Sequence, residues 1–501
     1  MSVDQDHVIH SRAGRLGTDG ITSRSDAKRI VASAYAARPA KGLAIHFHGG
    51  LVNTKAGLAI AEKLTPRYSG AGTYPVFFVW EAGLLETLKN NLGDILKDEV
   101  FQELVKKVGE WAVKEIGGSF TTRGGGPIPI DKYKLRRDFD SWFAGQAQAP
   151  PVPLESPVQK PGATRGVEPD EDTLATNIEA ELDDDERFQQ VMAGLYVASG
   201  GGTGTTTKGG NVPAANVRAL VDEKALDEMF LPRTAGATRA GLVWFKVAKF
   251  VAKVVIAVIR RHWNKRDHGL YTTIVEEVLR AAYLAKVGEV AWRMMKKDTA
   301  DAFDGNANSV GTALFADLAE LAGQGKTFDQ ITLIGHSTGA VYINNLIEGA
   351  ARAMPNGKFN VILLAPACRS DAFSKVLAAN SSRIANFRMF TMTDELESQD
   401  QLVSIIYPRS LLYFISGVLE GEADVPLVGM NRFNADQQLF SKNAFKYIDD
   451  VRTWLALKAS NCVWSIATGG LGLNSASKSH GDFDNDEATL LSIEHVLKNG
   501  Y

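Results

Sequence analysis

The sequence predicts an α/β protein with a mostly parallel central sheet, interrupted by a large, mainly helical insertion. Three observations carry that prediction. A short apolar run, Ile331 to Ile334, enters Gly335-His336-Ser337-Thr338-Gly339 and leaves through an amphipathic stretch ending near Glu348, which reads as strand, sharp turn and helix. Other continuous β-rich runs flank it: Gly42–Phe47 and Pro75–Trp80 before, Phe359–Pro366, Phe387–Met392 and Asn461–Ala467 after. Pro75–Trp80 is continuously β-rich and reads as a central strand covered on both faces of a parallel sheet. Lastly, about 250 residues separate Trp80 from Ile331, where a single crossover helix would suffice to join two parallel strands.

Taken in order, a polar arm precedes two strand candidates, Arg29–Tyr35 and Gly42–Phe47, the second running straight into the glycine loop His48-Gly49-Gly50-Leu51. Pro75–Trp80, closed by Glu81, is the next central strand. The division that follows is residues 1–83 and 307–501 as the two parts of a core, with 84–306 inserted between them. The insert opens with a helix over Asp98–Ile116. It then becomes rich in breakers, with Gly124-Gly125-Gly126-Pro127 and Pro150-Pro151-Val152-Pro153. Residues 118–170 and 198–212 are expected to be mobile, because their content cannot bury enough apolar surface to offset ordering.

The acidic run Glu181 to Glu186 reads as a solvated face and not a metal site, since it holds no His and no ordered ligand spacing. Gly200 to Gly209 does not satisfy Gly-x-x-x-x-Gly-Lys-Ser/Thr and follows no apolar strand, so it reads as a loop. Leu242–Arg261 has nearly the length of a membrane span, but Lys246, Lys249 and Lys253 would each cost roughly 2.5 to 3.5 kcal/mol at a bilayer centre. With Arg260 they make a cationic stripe opposite Val, Phe and Ile, the pattern of an amphipathic helix. Two readings stay open: an apolar side packed on the protein, or peripheral contact with an anionic membrane through residues 242–261. A further helix is predicted over Thr272–Lys297 and another over Ser309–Leu321. Tyr407 to Glu420 reads as an apolar helix that either lines a pocket or simply packs.

The balance of 55 basic and 58 acidic side chains, a net charge of −3, leaves no electrostatic footprint for nucleic acid. Cys368 and Cys462 both adjoin apolar runs and read as small core residues and not as a disulfide. A reducing, cytoplasmic setting is therefore expected. The start Met1-Ser2-Val3-Asp4 lacks the basic and apolar stretches of a signal peptide, whereas other export routes leave no such mark.

The Gly-His-Ser-x-Gly turn between strand and helix, with the His-Gly-Gly loop after an earlier strand, resembles the α/β-hydrolase superfamily and more closely its lipases and esterases. The resemblance covers residues 28–82 and 308–498. It implies an α/β-hydrolase fold with 84–306 as a helical cap, and a serine hydrolase that needs neither metal nor organic cofactor. Ser337 would be the nucleophile. The oxyanion donors would be the N–H groups of Gly50 (or its neighbours Gly49 and Leu51) and Thr338.

Serine needs a base and the base an orienting acid. Of nine histidines, His46 and His48 belong to the early strand and loop. His336 leaves the turn in another direction from Ser337, and His495 sits in a helix-like tail. His480, in a loop after the last strand, is the expected base. Asp394, following the strand Phe387–Met392, is the expected acid, with Glu395 and Asp400 as competitors. The implied substrates are carboxylic esters, especially lipid or long-chain acyl esters. The alternative is a hydrolase-fold binding or effector module whose cap recognises a partner and which acts only when triggered.

Overall fold

Apolar runs that are too short for helices and too continuous for exposed strands become the centre of a parallel sheet. In the computed structural model, which describes residues 5–17, 21–50, 52–80, 84–117, 120–121, 131–156, 158–159, 168–200, 205–207, 210–212, 220–230, 244–435 and 445–501, seven strands share that sheet. They are β1 (Val8–Ser11), β2 (Leu43–Phe47), β3 (Tyr74–Trp80), β4 (Ile331–His336), β5 (Phe359–Leu364), β6 (Ile384–Met392) and β7 (Cys462–Ser465). Their spatial order is β1-β3-β2-β4-β5-β6-β7, and every pairing is parallel. Helices cover both faces. Strand residues alternate between them: Leu43, Ile45 and Phe47 face one apolar core, Ala44 and, on neighbouring strands, Phe77, Ile334 and Ile362 the other.

The order of the strands locates a crevice. From β2 the chain moves to β3 on one side, whereas from β4 it moves through β5 and β6 to β7 on the other. The direction reverses between β2 and β4, which pair from Leu43 against Ile331 to Phe47 against Gly335. In open α/β sheets the crossovers at such a reversal diverge and leave a cleft beyond the carboxyl ends of the two strands. Those ends run into His48-Gly49-Gly50 and Ser337-Thr338.

Several expectations are corrected. Arg29–Tyr35 is not a strand but lies within the helix Arg24–Ala36, whose cap Ser23 accepts the Asp26 N–H. Ala27, Ile30, Val31 and Ala34 recur at helical spacing on its buried side. The first strand is Val8–Ser11. The expected helix Thr272–Lys297 is two helices, Leu270–Ala282 and Glu289–Asp301, separated where Gly288 adopts φ 88°. Part of the stretch 118–170 is packed, since the helix Lys132–Phe143 buries Leu135, Phe139 and Trp142. Val152 is buried as well, and Thr205–Thr207 pairs antiparallel with Gly210–Val212. Residues 118–119, 122–130, 157, 160–167, 201–204 and 208–209 of those stretches lie outside the described residues, as do Leu51 and Glu81. Asp185, in the acidic run, is buried against Lys107 and Arg136 instead of facing water.

The helix Trp244–Trp263 buries Val247, Val251, Val255 and Ile259 against Glu99–Gly117, Glu171–Leu182 and Leu270–Ala282. Its cations are matched by carboxylates: Lys249 with Asp172 at 2.7 Å, Lys253 with Glu228 at 2.9 Å and Arg260 with Glu168 at 2.6 Å. Among the described residues no helix is long and apolar enough to cross a membrane.

Where this helical segment meets residues 407–432, an ion network is fully buried. His268 places Nδ1 2.7 Å from Glu276 Oε1 and Nε2 2.9 Å from Asp424 Oδ1. Each ring nitrogen thus faces a carboxylate oxygen, and the ring bridges two buried acids. Arg261 pairs with the other Glu276 oxygen at 2.6 Å, and Tyr407 donates to Glu276. Tyr407 to Glu420, a helical turn at Leu411–Phe414 followed by Ile415–Leu419, is buried throughout and packs on Leu270–Ala282.

Candidate active site

Ser337 follows the last residue of β4 and has φ 53°, a conformation unfavourable for a residue with a Cβ. Surrounding bonds hold it there. Its N–H donates to Leu364 C=O at 2.8 Å, and its own C=O accepts from Ala367 N–H at 3.0 Å. Gly339 permits the turn, because a Cβ there would stand 2.2 Å from the Phe47 carbonyl oxygen. The helix Gly339–Ala353 starts at once, so the positive end of its dipole lies under the serine.

The loop after β2 approaches from the other side of the crevice. A Cβ on Gly49 would lie 3.3 Å from Ser337 Cβ, and one on Gly50 would lie 2.8 Å from Thr338 Oγ1. The two turns expected to carry oxyanion donors are therefore adjacent, and Gly50 abuts Thr338. His48 braces this loop. Its Nε2 accepts the Trp80 N–H at 3.2 Å, which leaves the proton on Nδ1 to donate to Gly49 C=O at 2.8 Å. Burial pushes His48 down to about 4 and His46 down to about 3, so both rings are neutral.

His480 arrives on the loop after β7, and its Nε2 lies 2.9 Å from Ser337 Oγ. Serine and histidine are 3% and 6% exposed, so the pair is closed off from bulk water. Burial, reinforced by His336 and opposed by Asp484, pushes His480 down to about 3 and keeps a free lone pair on the ring at neutral pH. A neutral imidazole bonded to a hydroxyl can take its proton as the oxygen attacks an electrophile.

The structure does not bring the expected acid to the histidine ring. Asp394 does not bond His480. It stands in the first turn of the short helix Asp394–Gln399, capped by Thr393, and its Oδ1 accepts from Tyr413 Oη at 2.7 Å. Glu395 is exposed. Asp400, at the far end of that helix, reaches His480, but through the main chain: His480 N–H donates to Asp400 Oδ2 at 2.8 Å. Burial holds the Asp400 carboxyl above its ordinary value. Among the described residues His480 Nδ1 has no hydrogen-bond partner.

Two residues that sequence reasoning passed over adjoin this centre. His336 Nε2–H donates to the His480 carbonyl at 2.9 Å, and His336 Nδ1 stands 3.4 Å from Asp484 Oδ2. The sequence signal was slight: Asp484 flanks Phe483, whose ring is fully buried and anchors the loop. Among the described residues no three His, Cys, Asp or Glu side chains converge to hold a metal ion. Cavities of about 620 and 310 Å³ lie elsewhere, one between Arg67 and Leu491 and one beside Arg136, and neither touches Ser337. Comparison of the chain with protein-family models, with curated proteins and with solved structures gave no match.

Proposed function

We propose that this protein is a serine hydrolase of the α/β-hydrolase type that cleaves carboxylic esters through an acyl-enzyme on Ser337, with residues 84–306 acting as a cap. The observation that carries the reading is the 2.9 Å contact between Ser337 Oγ and His480 Nε2, made by a serine held at φ 53° beside the sheet's topological reversal. Ser337 Oγ attacks the ester carbonyl as His480 Nε2 takes its proton. The N–H groups of Gly50 and Thr338 receive the oxyanion. The C–O bond then breaks, His480 returns the proton to the departing alcohol, and water activated by the same ring releases the acid from Ser337.

The lipid or long-chain acyl class is inferred from the Gly-His-Ser-x-Gly turn and the large helical insert. Met295, from the helix Glu289–Asp301, puts its sulfur 3.1 Å from the position of a Gly50 Cβ. Asn345 of the helix after Ser337 donates to Thr299 of the same segment at 2.9 Å, which ties residues 84–306 to the site. The acidic partners of Lys249, Lys253 and Arg260 favour packing of that helix over contact with an anionic membrane.

The test is labelling by a fluorophosphonate in the intact chain and in Ser337→Ala, followed by hydrolysis of a panel of short and long acyl esters and phospholipids. Labelling that requires Ser337 supports the reading. Its absence under every condition overturns it. The burial of Ser337 and His480 favours a second reading, an effector module that opens only when its cap meets a partner. That reading calls for labelling that appears only with an added partner or vesicle.

A further inference from the structure

His336 is next to Ser337 in sequence, yet its ring serves His480. Both of its nitrogens face acceptors, Nε2 the His480 carbonyl at 2.9 Å and Nδ1 the Asp484 carboxylate at 3.4 Å. That environment suits an imidazolium, which has two donors and no acceptor. The second Asp484 oxygen accepts from Asn485 Nδ2 at 3.0 Å, so the carboxylate is oriented from both sides. His336 and Asp484 are each 4% exposed. Solvent therefore screens their charges little.

The main chain of His480 is clamped from two directions, its N–H by Asp400 and its C=O by His336. Its ring nitrogen Nδ1, in contrast, has no partner among the described residues. The ring thus gains no direct ion pair when it takes the serine proton. What acts on it is the His336–Asp484 pair, with the two ring centroids of His336 and His480 5.5 Å apart.

We propose that Asp484 and His336 form a positioning pair for His480: Asp484 keeps His336 charged, and His336 fixes the His480 carbonyl and sets how readily the His480 ring accepts a proton. The inference rests on His480 being the base. A cationic His336 opposes a second positive charge on His480, while Asp484 favours it, so the two side chains act in opposite directions on one ring. Burial disfavours the charged form of His336 itself, but Asp484 outweighs burial and holds the ring above the ordinary histidine value. The other titratable groups near the pair among the described residues are His46 and His48, both neutral, Tyr68 beside His46, and Lys63, whose Nζ donates to the Asp484 carbonyl at 3.2 Å, with Asp400 on the far side of His480.

The test uses the full chain as wild type, His336→Gln, Asp484→Asn and Asp484→Glu. Two quantities are read: the pH dependence of fluorophosphonate labelling, and the ring titrations of His480 and His336 by NMR of histidine labelled at Cε1. In His336→Gln the amide still donates to the His480 carbonyl but the charge is gone. The His480 titration, and the acid limb of labelling with it, should move up by about two pH units, the effect of removing a charge at this separation in an effective dielectric near 20. A purely structural role for His336 would not produce that shift, and an unmoved His480 titration overturns the proposal.

Asp484→Asn should move the His336 titration down and slow labelling at neutral pH by about tenfold, with Asp484→Glu recovering most of the rate. If His336→Gln does not fold, this variant decides, and an unmoved His336 titration overturns the pair. Wild type that never labels while these titrations still move as described would remove the esterase reading and support the pair.

Discussion

Ser337 Oγ and His480 Nε2 meet at 2.9 Å although 143 positions separate them in the chain. Groups that share one proton in one step fail together. Ser337→Ala and His480→Ala should each lower kcat on short acyl esters by on the order of 10⁴-fold or more, and the double variant should be no worse than either single one. Losses that multiply in the double variant would show two independent roles. Circular dichroism and urea midpoints should stay close to wild type.

The loop after β6 offers a sharper discrimination. Asp394 is engaged by Tyr413 and Asp400 by the His480 N–H. Asp394→Asn should leave turnover within a factor of a few, because an amide oxygen can still accept from Tyr413. Asp400→Ala should lower kcat by about tenfold with KM little changed, since it removes an anchor of the base and no substrate contact. The reverse ranking would return Asp394 to the role the sequence suggested.

Stability should fall on the acid side. His46, His48 and His480 are held by burial near 3, 4 and 3, below the 6.5 of an exposed ring. Below pH 6.5 the unfolded chain therefore binds protons that the folded chain refuses. Stability is present above that pH and is lost as pH falls, by about 1.4 kcal/mol per unit for each group. His336, whose value is raised, contributes in the opposite sense and offsets part of the loss. Urea midpoints at pH 7.5 and 5.5 measure the net effect. A midpoint that rises on acidification would contradict it.

His268 bridges two buried carboxylates, Glu276 and Asp424. His268→Ala leaves Glu276 and Asp424 facing an unfilled site and should cost about 3 to 5 kcal/mol, whereas an exposed substitution costs little. Chemical denaturation reads this directly, and a cost under about 1 kcal/mol would mean that the flanking arginines suffice.

Charge reversal on the helix Trp244–Trp263 should do much less. Lys249 and Lys253 are 45% and 58% exposed in their ion pairs. Changing either to Glu should leave the urea midpoint close to wild type and short-ester turnover unchanged. Wild type should also fail to sediment with anionic vesicles at physiological salt. Strong sedimentation abolished by the reversals would reinstate the membrane role.

What was legible follows from how each element is specified. β2 to β5 were readable because strands buried on both faces are continuous apolar runs, and Gly335 to Gly339 because a turn at positive φ needs glycine close by. Val8–Ser11 escaped notice as a four-residue edge strand containing His10. Arg29–Tyr35 misled because its Ile, Val and Tyr favour strands, yet a serine cap and apolar spacing of three and four decide for helix. Ser337 and His480 could be paired from their places after β4 and β7. The acid could not, because whether Asp394 or Asp400 faces His480 depends on a six-residue helix that only tertiary packing fixes.

The long interval between β3 and β4 has a consequence for biosynthesis. β2 forms the sheet's interior only once Ile331 to Gly335 can lie beside it, and roughly 290 residues part the paired positions Leu43 and Ile331. At a synthesis rate of about 5 to 20 residues per second, the β2 edge waits for tens of seconds with its main-chain groups uncovered. An uncovered edge of this kind pairs readily with any other extended chain. Yield in cells should then depend on how well nascent chains are shielded more than on the stability of the finished protein. A fragment ending at residue 306 should aggregate, and supplying residues 307–501 in trans during its synthesis should restore solubility.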